Sequence, residues 1–498
     1  MLCVGIDSGT TACKALILDA ESGKVLASAG APQPFVEGLP HGHVEQDPRI
    51  WIKVAESVLG ACLEKLGERR REIVAIGVSA QQHGLVVLDD QNQPLRPAKL
   101  WCDTSTAEQA ERLNRAFGNA EELIRRTGNA MVSGYTAPKL LWLKENEPEA
   151  FEHTRTVLLP HDFMNFWLTG ERQMEYGDAS GTGLLDVRTR TWCEPLAQFI
   201  DSSLLAKLPP LRSSTRPAGL LRAKLGERWG IGDALVSAGG GDNMMGAIGT
   251  GNIRPDCLTL SLGASGTIYG FAETPVIDPR GEISAFCDST DHWLPLACTM
   301  NVANVAERLR KLFDWDMKAL EKNVAESSPG AAGITFLPYL QGERLPDLPH
   351  ASGVLHGLNL ENTNRRDVGR AVIEGIIIGL ARGLKRLRDL GLSADELRIT
   401  GGGGKSPIAR QIVADVFGMP VTGLKTWEGG ALGTAIHAAW TFCQVKGSPL
   451  SLEKIVKSAV KIDRKTRAEP RKENATLYAE LRGRHADLTR KLAAGGYL

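Results

Sequence analysis

The sequence predicts a mixed α/β fold that is duplicated along the chain. Residues 4–11 (Val-Gly-Ile-Asp-Ser-Gly-Thr-Thr) form an apolar run, a Gly/Ser/Thr turn and the start of a second strand. Residues 260–268 (Leu-Ser-Leu-Gly-Ala-Ser-Gly-Thr-Ile) repeat this pattern in the second half. A strand that ends in glycine and small hydroxyl residues exposes backbone N–H and hydroxyl donors in a tight turn, which suits a phosphate. Two such turns, one in each half of the chain, predict an enzyme that binds a polyphosphate such as ATP from both sides.

The first elements follow from the hydrophobic pattern and its breaks. Apolar runs bounded by turn residues predict strands at residues 2–7, 13–19, 24–30, 73–78 and 85–88. Asp47 and Pro48 form an N-cap and a first helical residue, and apolar residues at helical spacing continue to Leu66. Three hairpin-connected strands, a helix and a fourth strand are the order of a ribonuclease-H-like unit.

The second half repeats this organisation after a mainly helical middle at residues 105–235. A glycine-rich stretch at residues 239–251, followed by Asn-Ile-Arg-Pro, indicates the boundary. We therefore divide the chain into domains 1–247 and 248–498, and the charged residues from about 450 onward are predicted to form a helical tail on the surface. In the second half we predict strands near 257–272, a helix at 367–390, a strand at 396–399 and a helix at 406–417.

Composition argues against several classes of protein. Lys plus Arg and Asp plus Glu both number 58 in 498 residues, so no net charge attracts nucleic acid or an anionic membrane. The nine cysteines include no C-x-x-C pair, which is typical of reduced thiols in a cytoplasmic protein. No apolar stretch approaches the length of a membrane span, and the start of the chain lacks a basic signal region.

Asp242 is the candidate catalytic base. It follows three glycines, and a ligand can closely approach a carboxylate in a turn that no side chains crowd. An ordinary N-cap aspartate needs no glycines, so the pattern favours a base that takes a proton from an alcohol attacking phosphorus. Asp7, at the end of the first strand, is a second candidate catalytic residue and a metal ligand, since its carboxylate can hold Mg²⁺ directly or through water.

Other polar and glycine-rich segments are candidates for binding. Residues 81–84 (Gln-Gln-His-Gly) offer donors and acceptors for a polyhydroxy ligand, although a loop histidine with a structural hydrogen bond is the simpler alternative. Trp101 and Asp103 are candidates to line a sugar cleft, although tryptophan is more often core. Residues 401–406 lack the first glycine of a P-loop. Their four glycines predict a flat backbone surface, free of side chains, that adenine or its ribose can approach.

The sequence resembles the FGGY carbohydrate kinases, of the actin-like ATPase superfamily, over nearly its whole length. Residues 134–146 (Gly-Tyr-Thr-Ala-Pro-Lys-Leu-Leu-Trp-Leu-Lys-Glu-Asn) resemble the first family signature, and residues 353–374 the second. Two long signatures in order are more specific than a short glycine motif. Within the family, residues 81–84, 159–162 and 337–344 are most similar to members that act on D-xylulose. The Asn-Gln-Arg-Glu type sequence of glycerol-specific members is absent at residues 81–84.

The resemblance implies two ribonuclease-H-like domains around a central cleft, with Asp242 as the base and Asp7 in the metal site. It places Gln82 and His83 on the ketose, together with Asp103 and Asp242 as further substrate contacts. The predicted ATP contacts are Thr10, Thr11, Lys14, Gly263, Ser265, Gly401, Gly402, Gly403 and Gly404. Family members usually carry threonine at the position of Ala264, where its hydroxyl faces the phosphates.

The resulting hypothesis is phosphorylation of D-xylulose to D-xylulose 5-phosphate, with ATP and Mg²⁺, in the cytoplasm. The predicted partners are a ketopentose and ATP, without nucleic acid or membrane, and a homodimer is left open. One alternative is the same chemistry on L-ribulose, L-fuculose, ribitol or a gluconate. Others are an actin-like ATPase without a sugar substrate, and a family member that binds sugar without turnover, for which Ala264 is the only indication.

Overall fold

A computed structural model describes residues 1–498 and contains two compact units. Unit 1 comprises Met1–Ile253, Phe271–Pro295 and Glu428–Lys461. Unit 2 comprises Arg254–Gly270, Leu296–Trp427 and Ile462–Leu498. These units are defined by packing, and the sequence division at residues 247 and 248 stays a prediction.

The first 253 residues contain short and long elements of both types. Their strands are β1 (Leu2–Ser8), β2 (Ala12–Asp19), β3 (Lys24–Pro32), β4 (Glu45–Gln46), β5 (Ile73–Ala80), β6 (Val86–Leu88), β7 (Ala98–Lys99), β8 (Thr156–Leu158), β9 (Met174–Glu175), β10 (Leu185–Asp186), β11 (Thr191–Trp192), β12 (Leu211–Arg212), β13 (Pro217–Leu220), β14 (Leu235–Ser237) and β15 (Gly240–Gly241). Their α-helices are α1 (Pro48–Leu66), α2 (Ala107–Asn114), α3 (Ala120–Thr127), α4 (Thr136–Asn146), α5 (Pro148–His153), α6 (Pro160–Thr169), α7 (Tyr176–Ala179), α8 (Glu194–Ile200), α9 (Leu204–Lys207), α10 (Ala223–Trp229) and α11 (Asp242–Thr250).

The remaining residues contain longer helices. Their strands are β16 (Cys257–Leu262), β17 (Gly266–Gly270), β18 (Ser284–Cys287), β19 (Trp293–Thr299), β20 (Thr335–Leu337), β21 (Val354–His356), β22 (Glu396–Thr400), β23 (Val421–Leu424) and β24 (Ile462–Ala468). Their α-helices are α12 (Ala303–Leu312), α13 (Met317–Glu326), α14 (Arg365–Asp389), α15 (Pro407–Phe417), α16 (Gly429–Val445), α17 (Leu452–Ala459) and α18 (Ala475–Ala494). Short 3₁₀ helices lie at Gly67–Glu72, Ser180–Thr182, Ala331–Gly333, Gly402–Lys405 and Lys472–Asn474.

The main sheet of unit 1 has the strand order β13-β14-β5-β1-β2-β3. β1, β2 and β3 form an antiparallel meander, whereas β5 and β14 run parallel to β1. Helix α1 connects β3 to β5 and buries one apolar face, including Trp51, Leu59 and Leu63, in the core of the unit. Asp47 caps this helix by accepting a hydrogen bond from the backbone N of Arg49. The predicted order of strands and helix is therefore confirmed.

Unit 2 repeats the arrangement in six strands, in the order β19-β17-β16-β22-β23-β24, and the same sheet also contains β18 next to β19. β16, β17 and β19 are antiparallel neighbours, and β22 and β23 run parallel to β16. The last strand of each sheet, β13 or β24, is antiparallel to its neighbour. Because both sheets have the same order and the same strand directions, the predicted duplication is confirmed.

Two regions contain strands that the sequence patterns did not predict. The middle region is helical but also contains the short strands β8 to β13, most of which have only two residues. The charged segment after residue 450 contains β24, which pairs with β23 at the sheet edge. Its sequence, Ile-Asp-Arg-Lys-Thr-Arg-Ala, has the exposed charges of an edge strand. Because of these charges, the apolar pattern that predicts a strand is absent.

The composition-based expectations agree with the structure on two points. All nine cysteines are free thiols, which confirms that they build no disulfide framework. No helix combines the length and apolar character that crossing a membrane requires.

Candidate active site

Asp7 lies at the carboxyl end of β1, beside the end of the parallel strand β5. The register places Asp7 opposite Ser79, whose hydroxyl donates to Oδ1 of Asp7 at 3.1 Å. The carboxyl ends of adjacent parallel strands meet at one edge of a sheet, where open α/β sheets bind ligands. The strand register therefore brings Asp7 to the edge at which a ligand is expected.

Helix α16 begins directly against the carboxylate of Asp7. A Cβ atom built on Gly430, the second residue of this helix, would collide with that carboxylate. Only glycine lets the start of α16 come this close to the Asp7 carboxylate. The N-terminus of a helix also carries a partial positive charge, which stabilises an anion such as this carboxylate. Glu428, which precedes the helix, forms an ion pair with Lys14 on β2.

The ionisation of Asp7 reflects this environment. Burial raises the pKa of Asp7 to about 6, and the negative charge of Glu428 also raises it. The positive charge of Lys14 and the hydrogen bond from Ser79 lower the pKa of Asp7 and limit the shift. A cation near Asp7 would favour the ionised carboxylate, as expected at a site that binds one.

Asp242 is the first residue of α11, and Gly241 is its N-cap. Asn243 donates from Nδ2 to Oδ1 of Asp242 at 2.9 Å, and Oε1 of Gln82 lies 2.9 Å from the same nitrogen. Burial, followed by the charges of Asp7 and Asp178, raises the pKa of Asp242 to about 8. A carboxylate with a raised pKa is a stronger base, and the pKa of an efficient general base lies near the operating pH.

The three glycines before Asp242 are required by packing on the inner side of the turn. A Cβ at Gly239 would collide with the carbonyl oxygen of Val78, and one at Gly240 would collide with the hydroxyl of Ser289. A Cβ at Gly241 would lie 2.6 Å from Cγ of Gln82. The glycines therefore let the backbone pack closely against its own unit, and the close approach of a ligand to the Asp242 carboxylate stays a prediction.

His83 has a left-handed backbone conformation, with φ of 65°. Its ring packs 5.0 Å from the ring of Tyr135 and 5.6 Å from that of Phe286, measured between centroids. Its carbonyl oxygen accepts from Oγ1 of Thr136 at 3.1 Å and from Nζ of Lys139 at 2.9 Å. Both donors belong to α4, within the segment that resembles the first family signature.

Asp103 is fully buried and bonded within the protein. Its oxygens accept from the backbone N of Val44 at 2.9 Å, from Nζ of Lys99 at 2.9 Å, and from the backbone N and hydroxyl of Ser105 at 3.0 and 2.5 Å. With His43 and Glu45 it forms a group of potential metal ligands, but Nζ of Lys99 already lies 3.3 Å from Glu45 and 3.2 Å from Nδ1 of His43. This geometry favours a structural role for Asp103.

The predicted phosphate contacts of unit 1 lie around the turn between β1 and β2. The turn is closed by a hydrogen bond from the backbone N of Gly9 to the carbonyl of Ala12 at 3.1 Å. Oγ1 of Thr10 accepts from Nε1 of Trp101 at 2.8 Å, Thr11 is exposed, and Lys14 is half-exposed in its ion pair with Glu428. The hydroxyl of Thr11 and the side chain of Lys14 are therefore accessible.

Unit 2 contains a cavity of about 390 Å³. Of the predicted nucleotide contacts, Gly263, Gly402 and Gly403 line it together with Ala264, whereas Ser265, Gly401 and Gly404 do not. The other walls come mainly from α12, α13 and α14, with the side chains Ala303, Ala306, Leu320, Val324, Ile376 and Ile377. A mostly apolar cavity with a glycine wall suits a planar aromatic ring.

Comparison with known proteins identifies the family. The sequence pattern of the N-terminal domain of the FGGY family of carbohydrate kinases matches residues 2–249, and that of the C-terminal domain matches residues 258–442. This chain belongs to the FGGY family. The resemblance inferred from the two signatures is confirmed, and the protein is an ATP-dependent carbohydrate kinase.

The known proteins similar to this chain include kinases of two named substrates. A xylulose kinase from Haemophilus influenzae is 37% identical over 474 residues, covering 94% of this chain and 95% of the relative. A ligand-bound xylulose kinase structure from Lactobacillus acidophilus matches with a TM-score of 0.89 and 27% identity, over 99% of this chain and 98% of the other. A gluconate kinase from the same organism matches with a TM-score of 0.89 and 28% identity, over the same shares.

The oxygen donors of this FGGY kinase fit a magnesium ion. Mg²⁺ is held in proteins by one or two carboxylates, with water and substrate phosphates as its other ligands. Asp7 offers a carboxylate beside the hydroxyl of Ser79, and the charge of Asp7 raises the pKa of Asp242, so two carboxyl groups lie within electrostatic reach. A divalent cation would relieve the repulsion between them.

Several residues of the site gave no clear signal in the sequence. Ser79 is a hydrogen-bond partner that only the strand register brings to Asp7, and Asn243, although it follows Asp242 directly, was assigned no role from the sequence. Gly430 lies far from Asp7 in the sequence, and the run of small residues at the start of α16 was the only indication of close packing. The helical walls of the unit 2 cavity resemble ordinary core helices in sequence.

Proposed function

We propose that this FGGY kinase phosphorylates D-xylulose at its terminal hydroxyl to give D-xylulose 5-phosphate. The observation that carries the chemistry is the hydrogen-bonded set of Asp242, Asn243 and Gln82. The substrate is supported by the Haemophilus influenzae xylulose kinase, which aligns along almost the whole chain at 37% identity.

Asp242 is the proposed general base. Its carboxylate, ionised, takes the proton of the terminal hydroxyl while the hydroxyl oxygen attacks the γ-phosphorus and the bond to the β–γ bridging oxygen breaks. The proton ends on Asp242, and ADP leaves with the bridging oxygen. Asn243 restrains the carboxylate through Oδ1, which leaves Oδ2 for the substrate hydroxyl. The raised pKa of Asp242 strengthens it as a proton acceptor.

Gln82 and His83 are the proposed contacts to the other hydroxyl groups of the sugar. The amide and the imidazole follow β5 directly, and the donors on α4 fix the backbone of His83. Because Asp103 is engaged by protein donors, we assign it the role of holding Lys99 and the neighbouring loop.

ATP is assigned to groups on each unit separately. Thr10, Thr11 and Lys14 are proposed phosphate contacts of unit 1. In unit 2, the cavity lined by Gly263, Gly402 and Gly403 is the proposed adenosine site, and Ser265, Gly401 and Gly404 support the two turns that form its glycine wall. Asp7 would hold Mg²⁺, which neutralises charge on the phosphates when it is bound.

A gluconate kinase is the second candidate, because the Lactobacillus acidophilus enzyme of that name has the same TM-score of 0.89 as the xylulose kinase. We further propose a cytoplasmic location, where nine free thiols persist in the reduced state. A homodimer stays a prediction.

A coupled assay of ADP release tests the substrate directly. The purified kinase is supplied with Mg-ATP and, in turn, D-xylulose, L-ribulose, L-fuculose, ribitol, D-gluconate or no sugar. We expect the highest kcat/KM with D-xylulose and little ADP release without sugar. A higher kcat/KM with gluconate would favour the second candidate, and equal ADP release without sugar would indicate an ATPase.

A further inference from the structure

A buried group of charged side chains lies behind the turn that carries Asp242. His161 and Asp162 are in the first turn of α6, and Asp178 is in α7; all three are at most 2% exposed. Nδ1 of His161 lies 3.4 Å from Oδ1 of Asp162 and 3.5 Å from Oδ2 of Asp178. The imidazole is therefore placed between two carboxylates.

This placement determines the charge of the imidazole. Burial alone would lower the pKa of His161, but Asp162 and Asp178 raise it well above its usual value. An imidazolium donates from both ring nitrogens, which matches the two carboxylates beside Nδ1 and the backbone carbonyl beside Nε2.

The other side of the ring holds the backbone of the Asp242 turn. Nε2 of His161 donates to the carbonyl oxygen of Ala238 at 2.5 Å, and Nδ2 of Asn165 donates to the same oxygen at 2.7 Å. Ala238 immediately precedes the three glycines. A Cβ at Gly239 would lie only 3.0 Å from Nε2 of His161, so the turn rests directly on the imidazolium.

We propose that His161 and Asp178 are positioning residues for Asp242. His161 fixes the backbone of the turn through the carbonyl of Ala238, and the Asp178 carboxylate, on the helix that packs against β15, repels the carboxylate of Asp242. Neither residue touches the substrate. The inference rests on the proposed role of Asp242 as the general base.

The charge of Asp178 acts on Asp242 together with that of other groups. Asp178 lies on α7, which packs against β15, the two residues immediately before Asp242. His161 and Glu175 also face this turn: Nε2 of His161 lies 3.0 Å from a Cβ built on Gly239, and Oε1 of Glu175 lies 3.5 Å from one built on Gly240. The charges of Asp7 on β1 and of Asp178 raise the pKa of Asp242.

The first test removes the charge of Asp178 and follows kcat/KM for the sugar against pH. In the parent enzyme we expect kcat/KM to rise as Asp242 ionises. Asp178→Asn should move this rise to lower pH by about half a unit or more, because the ionised base is no longer repelled. Asp162→Asn is the matched control, since Asp162 contacts the same imidazole but bonds the backbone N of Leu159 instead of acting on Asp242.

The pH profiles of the two variants decide whether Asp178 acts on Asp242 through its charge. A larger shift of the profile for Asp178→Asn than for Asp162→Asn supports this role of Asp178. Profiles of both variants that coincide with that of the parent overturn it. If Asp178→Asn does not fold, Asp178→Ser removes the same charge and is measured in the same way. Equal shifts in both variants would assign the effect to the imidazole and would also overturn the proposed role of Asp178.

The second test distinguishes the effect of losing the hydrogen bond of His161 from the effect of changing the size of its side chain. His161→Leu should lower kcat by about 10²-fold, the effect of a misplaced catalytic group, with much smaller changes in both KM values. His161→Gln retains an N–H donor for Ala238 and should recover at least about tenfold of that loss. Equal kcat values for the two variants, measured at temperatures where both are folded by circular dichroism, would overturn the positioning role.

Failure of this inference is distinguishable from failure of the proposed function. If Asp242→Asn retains the parental kcat, Asp242 is not the base and the proposed function is wrong. If Asp242→Asn loses activity while Asp178→Asn keeps the parental pH profile, the base assignment stands and only the positioning role is overturned.

Discussion

Gly430 and Asp7 are in direct contact, although more than four hundred residues separate them in the sequence. No side chain fits at position 430 without displacing the Asp7 carboxylate. The contact joins the end of β1 to the start of α16, and it explains the glycine at the second position of this helix. The position of Asp7 therefore depends on a residue that binds nothing itself.

Gly430→Ala should displace Asp7 and reduce catalysis. We expect a fall in kcat of about 10²-fold and a higher Mg²⁺ concentration at half-maximal rate, because the carboxylate cannot keep its place. Steady-state assays across a Mg²⁺ titration measure both effects. Gly60→Ala, in α1 with no atom within 4 Å of the added Cβ, is the control and should leave kinetics unchanged while stabilising the protein by about 0.5–1 kcal/mol. Parental kinetics in Gly430→Ala would contradict the importance of the contact.

His83 is predicted to determine sugar affinity. His83→Asn removes the imidazole but tolerates the left-handed backbone, so it avoids the strain that alanine would add at a φ of 65°. The sugar KM should rise about tenfold, the equivalent of one hydrogen bond, while the ATP KM stays within about twofold. Initial-rate measurements with each substrate varied test this. Equal changes in the two KM values would indicate a purely structural histidine.

Ala264 tests whether the second phosphate turn works without the usual threonine. Ala264 is exposed and lines the unit 2 cavity, and the backbone N of Gly263 bonds the carbonyl of Ser265 at 3.0 Å to close the turn. Ala264→Thr should change kcat and the ATP KM by less than about tenfold. Ser265→Ala should lower kcat by more than Ala264→Thr raises it. A large gain in kcat for Ala264→Thr would show instead that the natural turn is impaired.

The C-terminal helix α18 is predicted to stabilise unit 2. The hydroxyl of Tyr478 donates to Oε1 of Glu374 at 2.8 Å and accepts from Nη2 of Arg370 at 3.1 Å, and all three side chains are buried. Tyr478→Phe leaves this buried ion pair short of one partner and should destabilise the protein by about 1–3 kcal/mol in urea unfolding. The control Tyr497→Phe, at a 74% exposed tyrosine, should have no effect. Equal urea midpoints for Tyr478→Phe and the parent would show that this hydroxyl contact of α18 contributes little to stability.

Local sequence patterns singled out Asp7 and Asp242 as candidate site residues and predicted much of the fold. Asp7 and Asp242 were predicted because the strand and the glycines that flank each of them are adjacent in sequence. The strands and the helix α1 followed from apolar spacing and a capping residue, which are also local. The duplication followed from the repeated turn, and the two sheets share one strand order.

Contacts between distant segments could not be predicted from the sequence. His161, Asp178 and Ala238 meet only after α6, α7 and the Asp242 turn have packed together. The segment 159–162 was singled out only by its family resemblance, and nothing in the sequence connects His161 with Asp178 or Ala238. The glycines before Asp242 were singled out from the sequence for ligand access, whereas the packing of Val78 and Ser289 gives a structural reason for them. Strand β24 was missed because charged residues occupy its exposed edge.

The role of Asp242 as the base is tested most directly by kcat for Asp242→Asn with D-xylulose and Mg-ATP. The substitution preserves the size of the side chain and the hydrogen-bonding position of Oδ1, but it removes the proton acceptor. We predict a fall in kcat of about 10²–10⁴-fold, the usual contribution of a general base, in a protein that still folds as the parent does. A kcat within a few-fold of the parent would contradict the assignment of Asp242 as the base.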